Sequence, residues 1–477
     1  MSIQDFIAVL PLVALATAAV MIMLAITFYR SHLLTLAITL AGLAAAVALL
    51  PLAARQTPRQ VTALLTIDGY ALFFTGVILA ATFAVAIFSY VYLRRRTGQH
   101  DELYLLLLLA ALGAAVLAAS SHFASLFLGL ELLSSSLFVL IAYPRGRINI
   151  EAGIKYLILA SVSTAFLLFG MALIYDQTGT MEFGRLAVIA GNTDGAGLLT
   201  AGLGLLAVGL GFKLALVPFH MWTPDVYQGA PAPITAFVAT VSKVGVFALA
   251  LRFFSEVGIH PHAHLFLLFT LIAVASMLGG NLLALLQNNV KRMLAYSSIA
   301  HLGYLLVAFL ASGPLAVTAV AFYLSAYTAT TLGAFGVIAV APGHSGAEAE
   351  TLQHYRGLFW RRPWLAAVFA AMLFSLAGIP LTAGFIGKFY LLDAGVGSSL
   401  WLLVFSLVAG SGISLYYYLR LVVVMYMRPH REGAREGADA FPWTGSLTLT
   451  LLMGVIFWLG VYPAPFIDMI ERTARLK

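Results

Sequence analysis

Apolar runs of about twenty residues recur in this chain from end to end, and that recurrence limits its possible folds more than any other feature. Inside a bilayer the backbone finds no water, so such a run must close its hydrogen bonds within itself as a helix. Fourteen runs are predicted, over 6–29, 33–53, 71–93, 103–119, 122–142, 153–175, 198–220, 232–254, 264–286, 293–312, 316–341, 364–391, 401–427 and 444–464. The connections are short and leave no room for a separate soluble domain. Composition agrees with this: only 9% of the 477 residues are charged and 62% are hydrophobic, whereas a soluble chain of this length carries about a quarter charged residues. The expectation is an all-α polytopic membrane protein.

The first run follows no basic segment, carries Asp5 near its start and outlasts the apolar core of a secretion signal, so it is read as an uncleaved span. The chain has no cysteine, which excludes an iron–sulfur cluster, a thiolate metal site or a disulfide within it. Its net charge of +7 is scattered over loops rather than gathered into a patch, which argues against nucleic acid as a partner.

Basic residues instead report topology. With the N-terminus outside, fifteen of the 26 basic residues fall on the inner side: Arg30, Arg94, Arg95, Arg96, Arg145, Arg147, Lys291, Arg292, Arg356, Arg361, Arg362, Arg420, Arg428, Arg431 and Arg435. Seven fall outside: Arg55, Arg59, Arg185, Arg252, Arg472, Arg475 and Lys477. Both termini are therefore expected on the outer side. Four lysines remain, all within predicted spans: Lys155, Lys213, Lys243 and Lys388.

An internal repeat is also visible. FKLALVP at 212–218 matches FSLAGIP at 374–380, and AGIKYLILASVSTAFLLFG ending at Gly170 aligns with TAVAFYLSAYTATTLGAFG ending at Gly336. This divides the chain into an N-terminal three-helix part (1–102), two five-helix repeats (103–256 and 257–430) and a last helix (431–477). Units of five spans lie in opposite orientations, the inverted design found in many transporters. Pro218 and Pro380 fall inside corresponding spans. Each is a mere kink or a break, and freed backbone groups at that depth are tolerated only beside protein or water.

Glu131, in SLFLGLELLSSSLFVL, is the one acid deep in a predicted span. An ionised side chain at the bilayer centre costs at least about 2.5–3.5 kcal/mol, so Glu131 and the four lysines must pair, line water or lose charge. One acid cannot neutralise four bases in static pairs. Lysine offers only donors, which disfavours a metal-ion path and favours protons. Lys155, near the start of its span, reads either as a path member or as a snorkelling lysine. His301, among Tyr296, Ser297, Ser298 and Tyr304, reads either as a relay or as a packed, hydrogen-bonded histidine. His122, His220, Tyr416 and Tyr417 read as interfacial or packing groups. No nucleotide-binding glycine motif, metal-ligand cluster or nucleophile–base pair is evident.

GFKLALVPFHMWTPDVYQGAPAPITAFVATVSKVG at 211–245 resembles the signature of the antiporter-like subunits of respiratory complex I and of multisubunit cation/proton antiporters. KRMLAYSSIAHLGYLL, AGIPLTAGFIGKFYLL and HFASLFLGLELLS resemble the subunit-N branch of that family, and the likeness spans nearly the whole chain. The sequence stops soon after the last run, without the family's long lateral helix, which favours N or M over the distal subunit. The resemblance implies fourteen helices in two inverted repeats with the seventh and twelfth broken. It also implies a proton path through Glu131, Lys213, Lys243 and Lys388, with Lys155 as the sixth-helix lysine. It implies other membrane-arm subunits and lipid as direct partners, with the NADH-oxidising arm as an indirect one. FMN, iron–sulfur clusters, NADH and quinone belong to other subunits, and the setting is a bacterial inner membrane. A subunit of a sodium/proton antiporter is the alternative.

Overall fold

The computed structural model describes residues 2–94, 96, 98, 100–190, 197–258, 262–311, 313–341, 348–429 and 443–474. The sequence expectations for Arg95, Arg431, Arg435, Arg475 and Lys477, and the boundary at 430/431, lie outside the described residues.

Helices α1 (Ile3–Phe28) and α2 (His32–Ala54) pair, and a hairpin of β1 (Arg59–Val61) and β2 (Leu65–Ile67) leads into α3 (Gly69–Leu93). Then follow α4 (Glu102–Ala119), α5 (Phe123–Ala142), α6 (Arg147–Thr178), α7 (Phe183–Ala190), α8 (Gly197–Leu214), α9 (Thr223–Gly229), α10 (Ala232–Ala239) and α11 (Val241–Val257). The second half holds α12 (Ala263–Leu285), α13 (Val290–Leu310), α14 (Pro314–Val340), α15 (Leu358–Arg361), α16 (Pro363–Ala377), α17 (Ala383–Gly397) and α18 (Trp401–Tyr426). The last two helices are α19 (Trp443–Val461) and α20 (Ala464–Thr473).

Polar side chains punctuate the apolar sequence. Ser2, Ser31, Asp68, His122 and Asn289 accept backbone N–H bonds at helix N-termini, where those donors have no partner within the helix. Among the described residues thirteen helices are long and apolar enough to cross a membrane, counting α10 and α11 as one. The pair α16 and α17, each too short alone, supplies the fourteenth. The chain is thus all-α and multi-pass apart from one small hairpin.

The two halves share a packing plan. In the first, α4 packs on α5, α5 on α6, and α6 on both α8 and α9. In the second, α12 packs on α13, α13 on α14, and α14 on both α16 and α17.

The structure bears out the expected breaks of the seventh and twelfth runs while correcting their bounds, and it overturns other sequence expectations. The seventh run does not continue to residue 220: α8 stops at Leu214, turns lead to Trp222, and α9 resumes. The run at 364–391 is likewise two helices, parted at Gly378, whose φ of +83° suits a residue without a side chain. The eighth run is interrupted at Thr240, which no proline announced. Its hydroxyl donates back to the Ala236 carbonyl at 2.6 Å, a bond that bends helices.

Arg252 is not an outer-loop residue. Helix α11 runs past the predicted end and buries Arg252 to 2% exposure, its guanidinium forked on Asp68 at 2.8 and 2.8 Å. Lys291 is also no loop residue: it sits 1% exposed in α13, paired with Glu348 at 2.7 Å. The four lysines are therefore not the whole set of basic residues within helices.

Candidate functional site

Glu131 lies near the middle of α5, Lys243 near the middle of the α10–α11 span, and His301 near the middle of α13. Lys213 and Lys388 lie beside the two helix breaks. At 1.5 Å per residue, groups at similar fractions of antiparallel spans share one depth. The groups are therefore strung across the molecule at mid-span, not along one helix.

Glu131 is partly exposed and accepts a 2.8 Å hydrogen bond from Thr164 of α6. It lines a cavity of about 30 Å³ between α5 and α6, together with Ser134 and Tyr156. Ser134 is one turn along the same face of α5, and it accepts a 2.7 Å bond from the ammonium of Lys213, which is 4% exposed. The glutamate and the first lysine thus meet on one face of α5.

The break after α8 then does two things. It ends the helix and frees the last carbonyls, which at this depth need donors. Trp222 Nε1 donates to Phe212 O at 3.0 Å, and Lys243 Nζ donates to Lys213 O at 2.7 Å. Lys243 is fully buried, its ammonium 4.9 Å from the Trp222 ring centroid. The second break repeats the device. Lys388, 6% exposed, donates to Ala377 O, the final carbonyl of α16, at 2.9 Å.

Between these breaks lies a polar cluster inside an apolar core. His301, 3% exposed, hydrogen-bonds Tyr323 at 2.6 Å through Nδ1 and Tyr418 at 3.2 Å through Nε2. Tyr418 also bonds Ser297. Tyr304 bridges to the second break, its ring 5.3 Å from Lys388 Nζ and 5.5 Å from the His301 ring. Its hydroxyl accepts from Asn281, whose oxygen accepts from Tyr417. Tyr227 and Tyr327 both bond Ser298, at 3.2 and 2.8 Å. Hydroxyl and neutral imidazole groups each hold a donor and an acceptor at once, which a lysine ammonium does not.

Lys155 lies apart from this line. Its side chain is 44% exposed and bonds Glu151 and Asp225, each at 2.8 Å. Asp225 of α9 also binds Arg292 of α13 at 2.7 Å. Of the lesser candidates, His122 caps α5, Tyr417 bonds Asn281 and Tyr416 is exposed.

Sequence reasoning named Tyr304 beside His301 but did not pick out Trp222, Ser134, Asp225, Tyr323, Tyr327 or Tyr418. Aromatic and small hydroxyl residues are ordinary in apolar helices. The signal for Asp225 and Trp222 was present, because both follow the Pro218 break within the signature segment.

Two broken helices in matching places of two half-molecules, with lysines at both breaks, define a multi-pass membrane protein of the antiporter-like class. The sequence family described as NADH:quinone oxidoreductase/Mrp antiporter, transmembrane, matches residues 120–414, and the chain belongs to it. The chain is 49% identical to NADH-quinone oxidoreductase subunit N of Ectopseudomonas mendocina, covering 99% of this chain and 97% of that protein. It superposes with a TM-score of 0.82 on a chain of respiratory complex I from Thermus thermophilus. That pair is 33% identical, with 96% of this chain and 98% of the other covered. A chain of the Mrp complex from a Dietzia species gives a TM-score of 0.85 at 20% identity, covering 99% of this chain and 97% of that one, a likeness of fold alone.

Proposed function

We propose that this chain is a proton-translocating membrane-arm subunit of an NADH–quinone oxidoreductase, and that Glu131, Lys213, Lys243, His301 and Lys388 carry the protons. The observation that carries this reading is the buried mid-span line of lysines, each ammonium on an uncharged oxygen, with Glu131 at one end in a cavity shared with the Ser134 that Lys213 bonds. Charges this expensive in an apolar setting are rare, and where no counter-charge pairs them they mark ion and proton pathways.

Glu131 is the control point. An opposite charge nearby favours the protonated lysine, and its removal favours proton release. A field change at Glu131, originating in electron transfer elsewhere in the complex, shifts Lys213 first because both use the same face of α5. Its proton passes by way of Lys243 and the His301 hydroxyl cluster to Lys388. Linkage makes the coupling reciprocal, so a proton gradient drives electron flow backward.

The chain itself holds no redox group in this reading. FMN, iron–sulfur clusters, NADH and quinone sit in other subunits, and other antiporter-like subunits are its membrane neighbours. Both termini face the outer side of a bacterial inner membrane. Lys155, exposed and paired with two acids, positions helices rather than carrying protons, so Lys155→Ala is the milder change.

The assembled complex in proteoliposomes tests the reading. Co-purifying flavin and iron–sulfur proteins are expected, and Glu131→Ala and Lys213→Ala should each reduce NADH-driven proton uptake. Full uptake in both variants would sink it. Purification with sodium/proton exchange and no redox partner would establish the alternative.

A further inference from the structure

Trp222 occupies a place that the relay, written as lysines and a glutamate, does not explain. It is 3% exposed, at the start of the short helix after the first break. Its N–H caps Phe212 O, the carbonyl next to that of Lys213, and its ring face lies 4.9 Å from the Lys243 ammonium. The ring also packs on Phe212 at 5.4 Å and on Tyr156 at 5.2 Å. Tyr156 lines the Glu131 cavity, and its ring is 5.9 Å from Lys213 Nζ. One indole thus touches Lys243 on one side of the first lysine step and, on the other, Phe212 and Tyr156, the neighbours of Lys213.

The short helix that carries it is anchored by charge. Asp225, three residues on, binds Lys155 of α6 and Arg292 of α13. Lys155 and Tyr156 are adjacent, so ionic and aromatic contacts belong to one α6–α9 interface. A tilt of α9 that rearranged the Asp225 pairs would carry the indole with it, altering a cation–π contact worth about 0.5–2 kcal/mol together with the Phe212 cap.

We propose that Trp222 is a positioning residue that holds Lys213 and Lys243 in register and couples that register to the ion pairs of Asp225. This rests on the proton-relay reading above, and the test separates the two. In the assembled complex in proteoliposomes, NADH turnover and proton uptake are measured together for Lys243→Ala, Trp222→Leu, Trp222→Phe, Asp225→Asn and the double variant Trp222→Leu/Lys243→Ala.

Protons moved per NADH should fall in Trp222→Leu to near the Lys243→Ala level while uncoupled turnover is kept. Trp222→Phe, which keeps a ring face but no N–H, should lose less, and Asp225→Asn should shift the ratio the same way. Residues that act as a unit do not add, so the double variant should lose no more than Lys243→Ala alone. An unchanged ratio in Lys243→Ala itself overturns the relay and the positioning role together. A lowered ratio there with an unchanged one in Trp222→Leu overturns the positioning role alone. So does a proportional loss of turnover and uptake, the mark of a merely structural residue. If Trp222→Leu does not assemble, Trp222→Phe decides by the same ratio.

Discussion

Glu348 shows what a single buried charge requires in this molecule. Burial raises its carboxyl, but the Lys291 ammonium, with hydrogen bonds from Lys291, Tyr92 and the Ala232 N–H, outweighs that and holds it below the ordinary glutamate range. A carboxylate depressed by folding contributes stability that is fully present above its unfolded value. That contribution is lost as pH falls through the folded one. The detergent-solubilised protein should therefore lose thermal stability on acidification below the glutamate range, and Glu348→Gln should flatten that limb. At neutral pH the same variant leaves the 1%-exposed Lys291 without its counter-charge, which costs about 3–5 kcal/mol. Equal melting of variant and parent at neutral pH would show that the pair contributes nothing.

Lys213, Lys243, Lys388 and Glu131 were legible for the same reason that Glu348 is costly, since a charge within an apolar run stands out. Their partners were not. Lys213 O and Ala377 O, the partners of Lys243 and Lys388, are backbone groups available only because helices end there, and no residue type encodes an exposed carbonyl. Ser134 and Thr164, the partners of Lys213 and Glu131, are hydroxyls ordinary in apolar helices.

The three buried lysines of the proposed path sit on or beside interrupted spans. Pro218 and Pro380 announced two breaks, whereas the interruption at Thr240, one turn before Lys243, arises from a hydroxyl competing for a backbone carbonyl and leaves no mark in hydropathy. The second break depends on close backbone approach. A Cβ built on Gly384 would sit 1.8 Å from Ser375 O, so any side chain there must push α17 away from the end of α16. Ser375 Oγ accepts the Gly384 N–H at 3.1 Å, and Ala377 O, the partner of Lys388, lies two residues on. Gly384→Ala should cost about 1–3 kcal/mol by overpacking and lower proton uptake per NADH, by displacing the carbonyl that holds Lys388. Unaltered melting and uptake would mean that the break yields freely and does not set the lysine.

At the scale of the whole molecule, the ion pairs seen among the described residues between parts distant in sequence join ends that the alternation of spans puts on the same side. Asp5 meets Arg59, and Asp68 meets Arg252, at one end of the bundle. Arg30 meets Glu102, Lys155 and Arg292 meet Asp225, and Lys291 meets Glu348, at the other. The alternation was legible from apolar run length and arginine count. The pairings were not, because they join residues far apart in sequence. We propose from the arginine excess at the second end that this end faces the cytoplasm, and the absence of cysteine gives a clean background for testing it. Arg147→Cys, at the start of α6, and Arg185→Cys, in the short helix beyond its far end, place exposed thiols at opposite ends of one span. A membrane-impermeant maleimide should label Arg147→Cys in inverted vesicles and Arg185→Cys in right-side-out ones. Labelling of both from one side would break the alternation itself. The reverse pattern would keep the alternation and invert the orientation, so that the ion pairs around Asp225, and the helix that carries Trp222, would face the compartment to which protons are delivered.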